Sequence, residues 1–191
     1  HLDIGRTMYQ QEEAVPAIRE QLSIAVDNYI KKFAFLGFPA QPSYRPWMYF
    51  DDLVNLAICF GTAEQRQEVA RIDKRCHWSD SEFLDQKPED SPDAAIVTYM
   101  EILKRYAAGE ALDQEGCRLC LHFCESPKAP KRAVVEVRPR LEALIALDRS
   151  DAATWNAHLA RVIAPHKNEA LRGEFKLLPQ AFICLSALAL A

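Results

Sequence analysis

The chain has 191 residues, 49% of them hydrophobic and 26% charged, and a net charge of −4. That length matches one domain with enough core to fold without a disulfide or a metal, and the mixture excludes disordered, collagen-like and coiled-coil classes. The mildly acidic balance argues against a general affinity for nucleic acid or for an anionic membrane.

A short helix is expected near residues 6–14 and a longer one over 16–36. Pro16 suits a first turn, where its missing N–H is not needed. Ile18, Leu22, Ala25, Val26, Tyr29, Ile30 and Phe33 keep the 3-4 spacing of one buried stripe. A connection over 37–46 holds Pro39, Pro42 and Pro46, and a second helix follows over 47–60. Thr62 with Gln65 three residues later forms a capping-box pattern for a third helix, to about residue 75.

Residues 76–90 are polar and acidic and read as a loop, with one turn around 81–84. Ser91 and Pro92 mark the cap and first position of a fourth helix, whose apolar face is Ile96, Tyr99, Met100, Leu103 and Tyr106. A fifth helix covers 114–124 and a loop 125–131. Residues 133–137 could begin as extended chain before a sixth helix over 135–147, with Pro139 in or near its first turn. Ser150 is expected to cap a seventh helix to about residue 171, bent by Pro165. A last helix starts near 175. Gly37, Gly61, Gly109 and Gly173 each follow a helical run, where a left-handed C-cap is expected.

Strand signals are scarce, so the fold class is all-α: a single domain over 1–191 of about seven or eight mostly antiparallel helices. The nearly apolar run 177–191 has 15 residues, interrupted by Pro179, Gln180 and Ser186. A membrane span needs about 20, so this run reads as a core helix. No basic segment followed by an apolar one opens the chain, and no signal peptide is expected. Six cysteines in mostly helical surroundings read as free thiols, which fits a reducing cytoplasm.

Two groups of residues invite a metal reading. Cys117, Cys120, His122 and Cys124 lie within eight residues. On a helix the three cysteines share one stripe and His122 points away, which suits small buried hydrophobes better than a closed tetrahedral site. Asp51, Asp52 and Asn55 resemble the paired acids that hold magnesium and a diphosphate in helical synthases. No second acidic motif faces them, and a solvated helix face is the simpler reading. His77, His158 and His166 fall into no nucleophile–base spacing, and no phosphate-cradling glycine loop occurs. No catalytic residue, cofactor or metal is expected.

Charge is unevenly spread. Residues 78–93 carry a net −5 from Asp80, Glu82, Asp85, Glu89, Asp90 and Asp93 against Lys87, with Trp78 and Phe83 among them. Residues 128–140 carry a net +4 from Lys128, Lys131, Arg132, Arg138 and Arg140 against Glu136. Each is readable as a solvated segment. Aromatic anchors inside a charged rim also suit a protein–protein interface.

The C-terminal third reads Arg-Leu-Glu-Ala-Leu-Ile-Ala-Leu-Asp over 140–148, then Trp155-Asn156, His166-Lys167, and Leu177-Leu178-Pro179 before the last apolar helix. It resembles immunity protein family 49 of bacterial polymorphic toxin systems, which carries an aromatic-Asn pair, a helix ending in His-Lys, and a Leu-Pro step. Trp47 opening an apolar helix and the Gly109-Glu110 step fit the same pattern. A second all-α immunity family, paired with a secreted DNase, has a similar layout. The resemblance implies a cytoplasmic protein that binds one cognate toxin, encoded by an adjacent gene, and blocks its active site or its substrate access. It implies no catalytic residue and no contact with membrane or nucleic acid. Trp155, Asn156, His166 and Lys167 would then be structural, with Asn156 and His166 hydrogen-bonding between helices. The acidic residues with Trp78 and Phe83 would meet the toxin. A helical scaffold domain without one tight cognate is the alternative, and a small all-α enzyme or metal protein the third.

Overall fold

Periodic apolar stripes become helices, and side-chain chemistry at their ends sets the boundaries. A computed structural model of the protein describes residues 14–36, 46–73, 92–127, 129, 131, 133–173 and 184–191. Among these are eight α-helices, one π-helical turn and no strand, so the fold is all-α as the sequence implies. The helix near 6–14, the connection 37–46, Gly37, the loop 76–90, Ser91 and the start near 175 lie outside the described residues, Ala14 and Pro46 excepted.

Helix α1, Val15–Leu36, buries Ile18, Leu22, Ala25, Val26, Ile30 and Phe33. Helix α2, Pro46–Phe60, is the hub. It buries Phe50, Leu53, Val54, Leu56 and Ala57, and it packs against α1 and three later helices. Phe33 and Phe50 meet edge to face with ring centroids 5.4 Å apart, a pairing that adds about 1 kcal/mol beyond area burial. Gly61 follows α2 without a left-handed φ. Its need for glycine is spatial, because an added Cβ would stand 2.6 Å from the Ala57 carbonyl oxygen.

Helix α3, Ala63–Arg71, starts with the expected box. Gln65 N–H donates to Thr62 Oγ1 at 3.2 Å, and Thr62 N–H donates to Gln65 Oε1 at 2.8 Å. It stops at Arg71 rather than near 75. Ile72 turns to extended backbone, and its carbonyl accepts from the buried Lys104 Nζ at 2.6 Å. Helix α4, Pro92–Ala107, buries Ile96, Tyr99, Met100 and Leu103, and Gly109 beyond it takes the left-handed φ of +92°. Helix α5, Gln114–Glu125, is capped by Asp113, which accepts from Gly116 N–H at 2.9 Å.

The doubtful stretch 133–137 is not extended. Ala133–Val137 forms a π-helical turn that runs straight into helix α6, Arg138–Asp148, with Pro139 in the first turn of α6. Ala133 and Val137 are buried, and the turn packs against α4 and α5. A wide turn thus serves where short β-branched residues suggested strand. Ser150 is not the cap of helix α7, Ala152–Arg172. It sits at φ 56° between α6 and α7, and Asp151 caps instead, accepting from Thr154 N–H at 3.1 Å. A cap must reach the third residue inside the helix, and Ser150 lies one position too early. Gly173 ends α7 with a negative φ of −100°, held by its N–H donating to the Glu169 carbonyl. Helix α8, Leu185–Ala189, packs on α2 and α7.

One connected core joins every element, from Leu22 on α1 through Leu53, Val69, Tyr99, Cys120, Val137 and Leu141 to Val162 and Leu185. No described helix is long and apolar enough to cross a membrane.

Candidate functional site

In sequence the acidic segment follows α3 and runs into the first turn of α4. Trp78, Asp80, Glu82, Phe83, Asp85, Glu89 and Asp90 lie outside the described residues, and Asp93 falls on the first turn of α4. Helices α3 and α4 pack together. Lys104, only 2% exposed, reaches from α4 to the Ile72 carbonyl, pairs with Glu101 at 2.8 Å, and lies 5.7 Å from the Phe50 ring centroid. These partners replace the hydration that the side chain gives up on burial. It fixes the point where the chain leaves α3.

The four motif residues share α7 but not one environment. Trp155 is half-buried, and its Nε1–H donates to the Leu190 carbonyl at 2.8 Å, tying α7 to the C-terminal turn. Asn156 is exposed and donates to Ala152 O of its own helix at 2.8 Å. It therefore makes no hydrogen bond between helices, because its place on α7 faces solvent. His166 is half-buried and Lys167 exposed.

Cys117, Cys120 and Cys124 are buried on one stripe of α5, and His122 points to solvent. The Sγ of Cys120 donates to Ala95 O at 3.7 Å and that of Cys124 to Ala133 O at 3.6 Å. Burial pushes the thiols up to about 12 at Cys117 and about 11 at Cys124, the opposite of a metal-binding thiolate. Among the described residues no group of three or more His, Cys, Asp or Glu is placed to hold a metal ion.

The solvated reading is corrected for Asp51, Arg138 and Arg140, which enter polar clusters, whereas Lys131 is exposed. Arg140 Nη1 donates to both carboxylate oxygens of Asp51, at 3.0 and 3.2 Å, and the two side chains are 19% and 20% exposed. Asn55, 2% exposed, donates to the Asp51 backbone oxygen at 2.7 Å and to its carboxylate at 3.1 Å. Tyr99 buries its ring on the same side, and burial raises its phenol well above the ordinary range. Burial also works against the Arg140 charge, but Asp51 and Tyr99 outweigh it, and the guanidinium is held protonated more firmly than usual. The cluster joins α2, α4 and α6. Arg138 is likewise engaged, with Glu142 at 2.8 Å and Glu125 at 3.4 Å. Glu142 in turn ties α6 to α7 through His158 at 3.0 Å and Arg161 at 2.6 Å.

Comparison with protein-family models, with curated proteins and with solved structures returned no match. The described polar groups therefore speak for themselves, and they hold helices in register. Asp51 and Asn55, four apart, were legible as one helix face. Arg140 as their partner was not, since it lies 89 residues from Asp51.

Proposed function

We propose that this protein is an immunity protein: it binds one cognate secreted bacterial toxin and neutralises it by covering the active site or the substrate's access to it. The observation that carries this reading is the succession of Trp155-Asn156, His166-Lys167 and Leu177-Leu178-Pro179 after the 140–148 helix, together with an all-α fold of the kind that resemblance implies. Support also comes from the use made of polar side chains. Asp51, Arg138, Arg140 and Glu142 are spent on joining helices, and Asn55 on holding the Asp51 carboxylate.

The recognition element is the segment 78–93. Its net charge of −5 and its two aromatic residues match a basic cleft of the sort that binds a phosphate backbone. Such a match speeds association and makes it sensitive to salt. The inhibitor acts in the cytoplasm of the toxin-producing cell and uses no cofactor. Reversing Glu82, Asp85, Glu89 and Asp90 to Lys together tests this. Binding to the neighbouring gene's product should weaken and its dependence on salt should flatten. Unchanged affinity and slope would remove the segment from the interface. Binding of many unrelated partners at micromolar strength would favour the scaffold reading.

A further inference from the structure

Glu142 on α6 faces three basic side chains. Its Oε1 accepts from Arg138 Nε–H at 2.8 Å. Its Oε2 accepts from Arg161 Nη1–H at 2.6 Å and lies 3.0 Å from His158 Nδ1, both on α7. Arg161 Nη1 in turn lies 3.1 Å from His158 Nδ1. Oε2, Nη1 and Nδ1 thus form a closed triangle, and Nδ1 can satisfy only one of its two neighbours at a time. A bare Nδ1 accepts from Arg161 but turns its lone pair on the Glu142 oxygen. A protonated Nδ1 donates to Glu142 but turns its N–H on an N–H of Arg161. In the imidazolium, two cations then meet.

The surroundings decide which contact yields. Glu142 is 15% exposed and His158 20%, whereas Arg161 is 48% exposed. An ion pair that open to water is held weakly, and its cation has solvent to move into. Arg138 sits on the other carboxylate oxygen and also pairs with Glu125, so it takes no part in the conflict. The remaining charges of α6 are turned elsewhere, Arg140 to Asp51 and Asp148 to Gln114. The π-helical turn and α8, also packed on α7, bring only Glu136, whose charge acts on Arg140. On α7 itself the Asp151 carboxylate is held low by its hydrogen bonds to Thr154 and, as a smaller cause, by His158.

We propose that His158 is a pH-operated exchange switch at the joint between α6 and α7. Neutral, its Nδ1 accepts from Arg161 while Arg161 holds Glu142. Protonated, its Nδ1–H takes Glu142 Oε2 for itself and Arg161 is released to solvent. Histidine is the side chain whose ordinary titration falls between about pH 5 and 8, so the exchange separates a neutral from a mildly acidic state. Glu142 keeps two cations in either state, Arg138 with Arg161 or Arg138 with His158. The joint therefore holds, and what changes is a guanidinium set free on the exposed side of α7. The switch lies apart from the segment 78–93 and stands or falls apart from the immunity reading.

Nitrogen NMR of the isotope-labelled full chain tests it, with His158→Phe assigning the ring signals by their loss. In the parent, the neutral ring should carry its proton on Nε2, so that Nδ1 shows the shift of a bare nitrogen. Arg161→Ala, at an exposed position, removes the donor, and the proton of the neutral ring should then move onto Nδ1 to face Glu142. Relaxation of the Arg161 side chain should show an ordered guanidinium at about pH 8 and a mobile one at about pH 5.5, on either side of the ordinary histidine range. In His158→Phe that change should be lost. A parent ring whose neutral form is protonated at Nδ1 overturns the proposal. So does a tautomer that Arg161→Ala leaves unmoved, an Arg161 equally ordered at both pH values, or a pH response that survives in His158→Phe.

Discussion

Replacing Arg140 by Met removes the guanidinium and keeps most of the side chain's length. Asp51 then keeps only the Asn55 amide as a side-chain partner, in a site where it is 20% exposed. Breaking a fully buried pair from one side costs about 3–5 kcal/mol, and an exposed pair is worth under about 1 kcal/mol. With both side chains about one-fifth exposed, the loss should be about 2–3 kcal/mol. Arg140→Met combined with Asp51→Leu removes both charges and should cost about 1 kcal/mol or less, since a desolvated pair replaced by apolar groups is often neutral. Asp51→Leu alone should cost about as much as Arg140→Met, so the coupling between the two sites is about 3 kcal/mol or more. Urea denaturation followed by circular dichroism reads each value from the midpoint and slope. A single-variant loss under about 0.5 kcal/mol, or a double-variant loss equal to the sum of the singles, would refute the argument that this pair is desolvated and coupled.

Three other expectations concern single interactions. Cys59 and Cys117 are pushed up to about 12 and Cys124 to about 11, chiefly by burial, from an ordinary 9.0. The folded chain thus holds these protons when the unfolded chain has lost them. Stability from this source is complete below pH 9 and falls as pH rises above it, by up to about 1.4 kcal/mol per pH unit for each thiol. Urea midpoints on either side of pH 9 should show the fall, and a variant with Ala at all three positions should flatten it. Thr62→Ala breaks the capping box of α3 and should cost about 1 kcal/mol, read from the same urea curves; no loss would mean that the box is idle. Trp155→Phe leaves a smaller aromatic ring and removes the donor to Leu190 O. It should lower stability by about 1 kcal/mol and raise hydrogen exchange at the C-terminal turn, and unchanged exchange would contradict the tie between α7 and α8.

The elements were legible where their cause is local. Thr62 and Gln65 determine the start of α3 between themselves, and the stripe from Ile18 to Phe33 needs only the 3.6-residue period. Gly109 takes the left-handed cap that follows a helical run. Legibility failed where neighbours far along the chain decide. Asp51 looked solvated because a helix-dipole argument sees only its own helix, whereas Arg140 approaches from α6. The third helix stops early because Lys104 on α4 captures the Ile72 carbonyl. Ala133–Val137 winds as a π-turn because it is buried between α4, α5 and α6, a context that overrides the strand preference of its valines. The burial of the three α5 cysteines followed from spacing. The carbonyls that receive two of their thiols, on Ala95 and Ala133, did not.

The central claim, that the protein neutralises one cognate toxin, is tested most directly by titration calorimetry against the product of the adjacent gene. The account expects a saturable complex, one partner per chain, with a dissociation constant on the order of nanomolar or tighter, because a lethal activity must be held almost completely. Absence of binding at micromolar concentrations would contradict it.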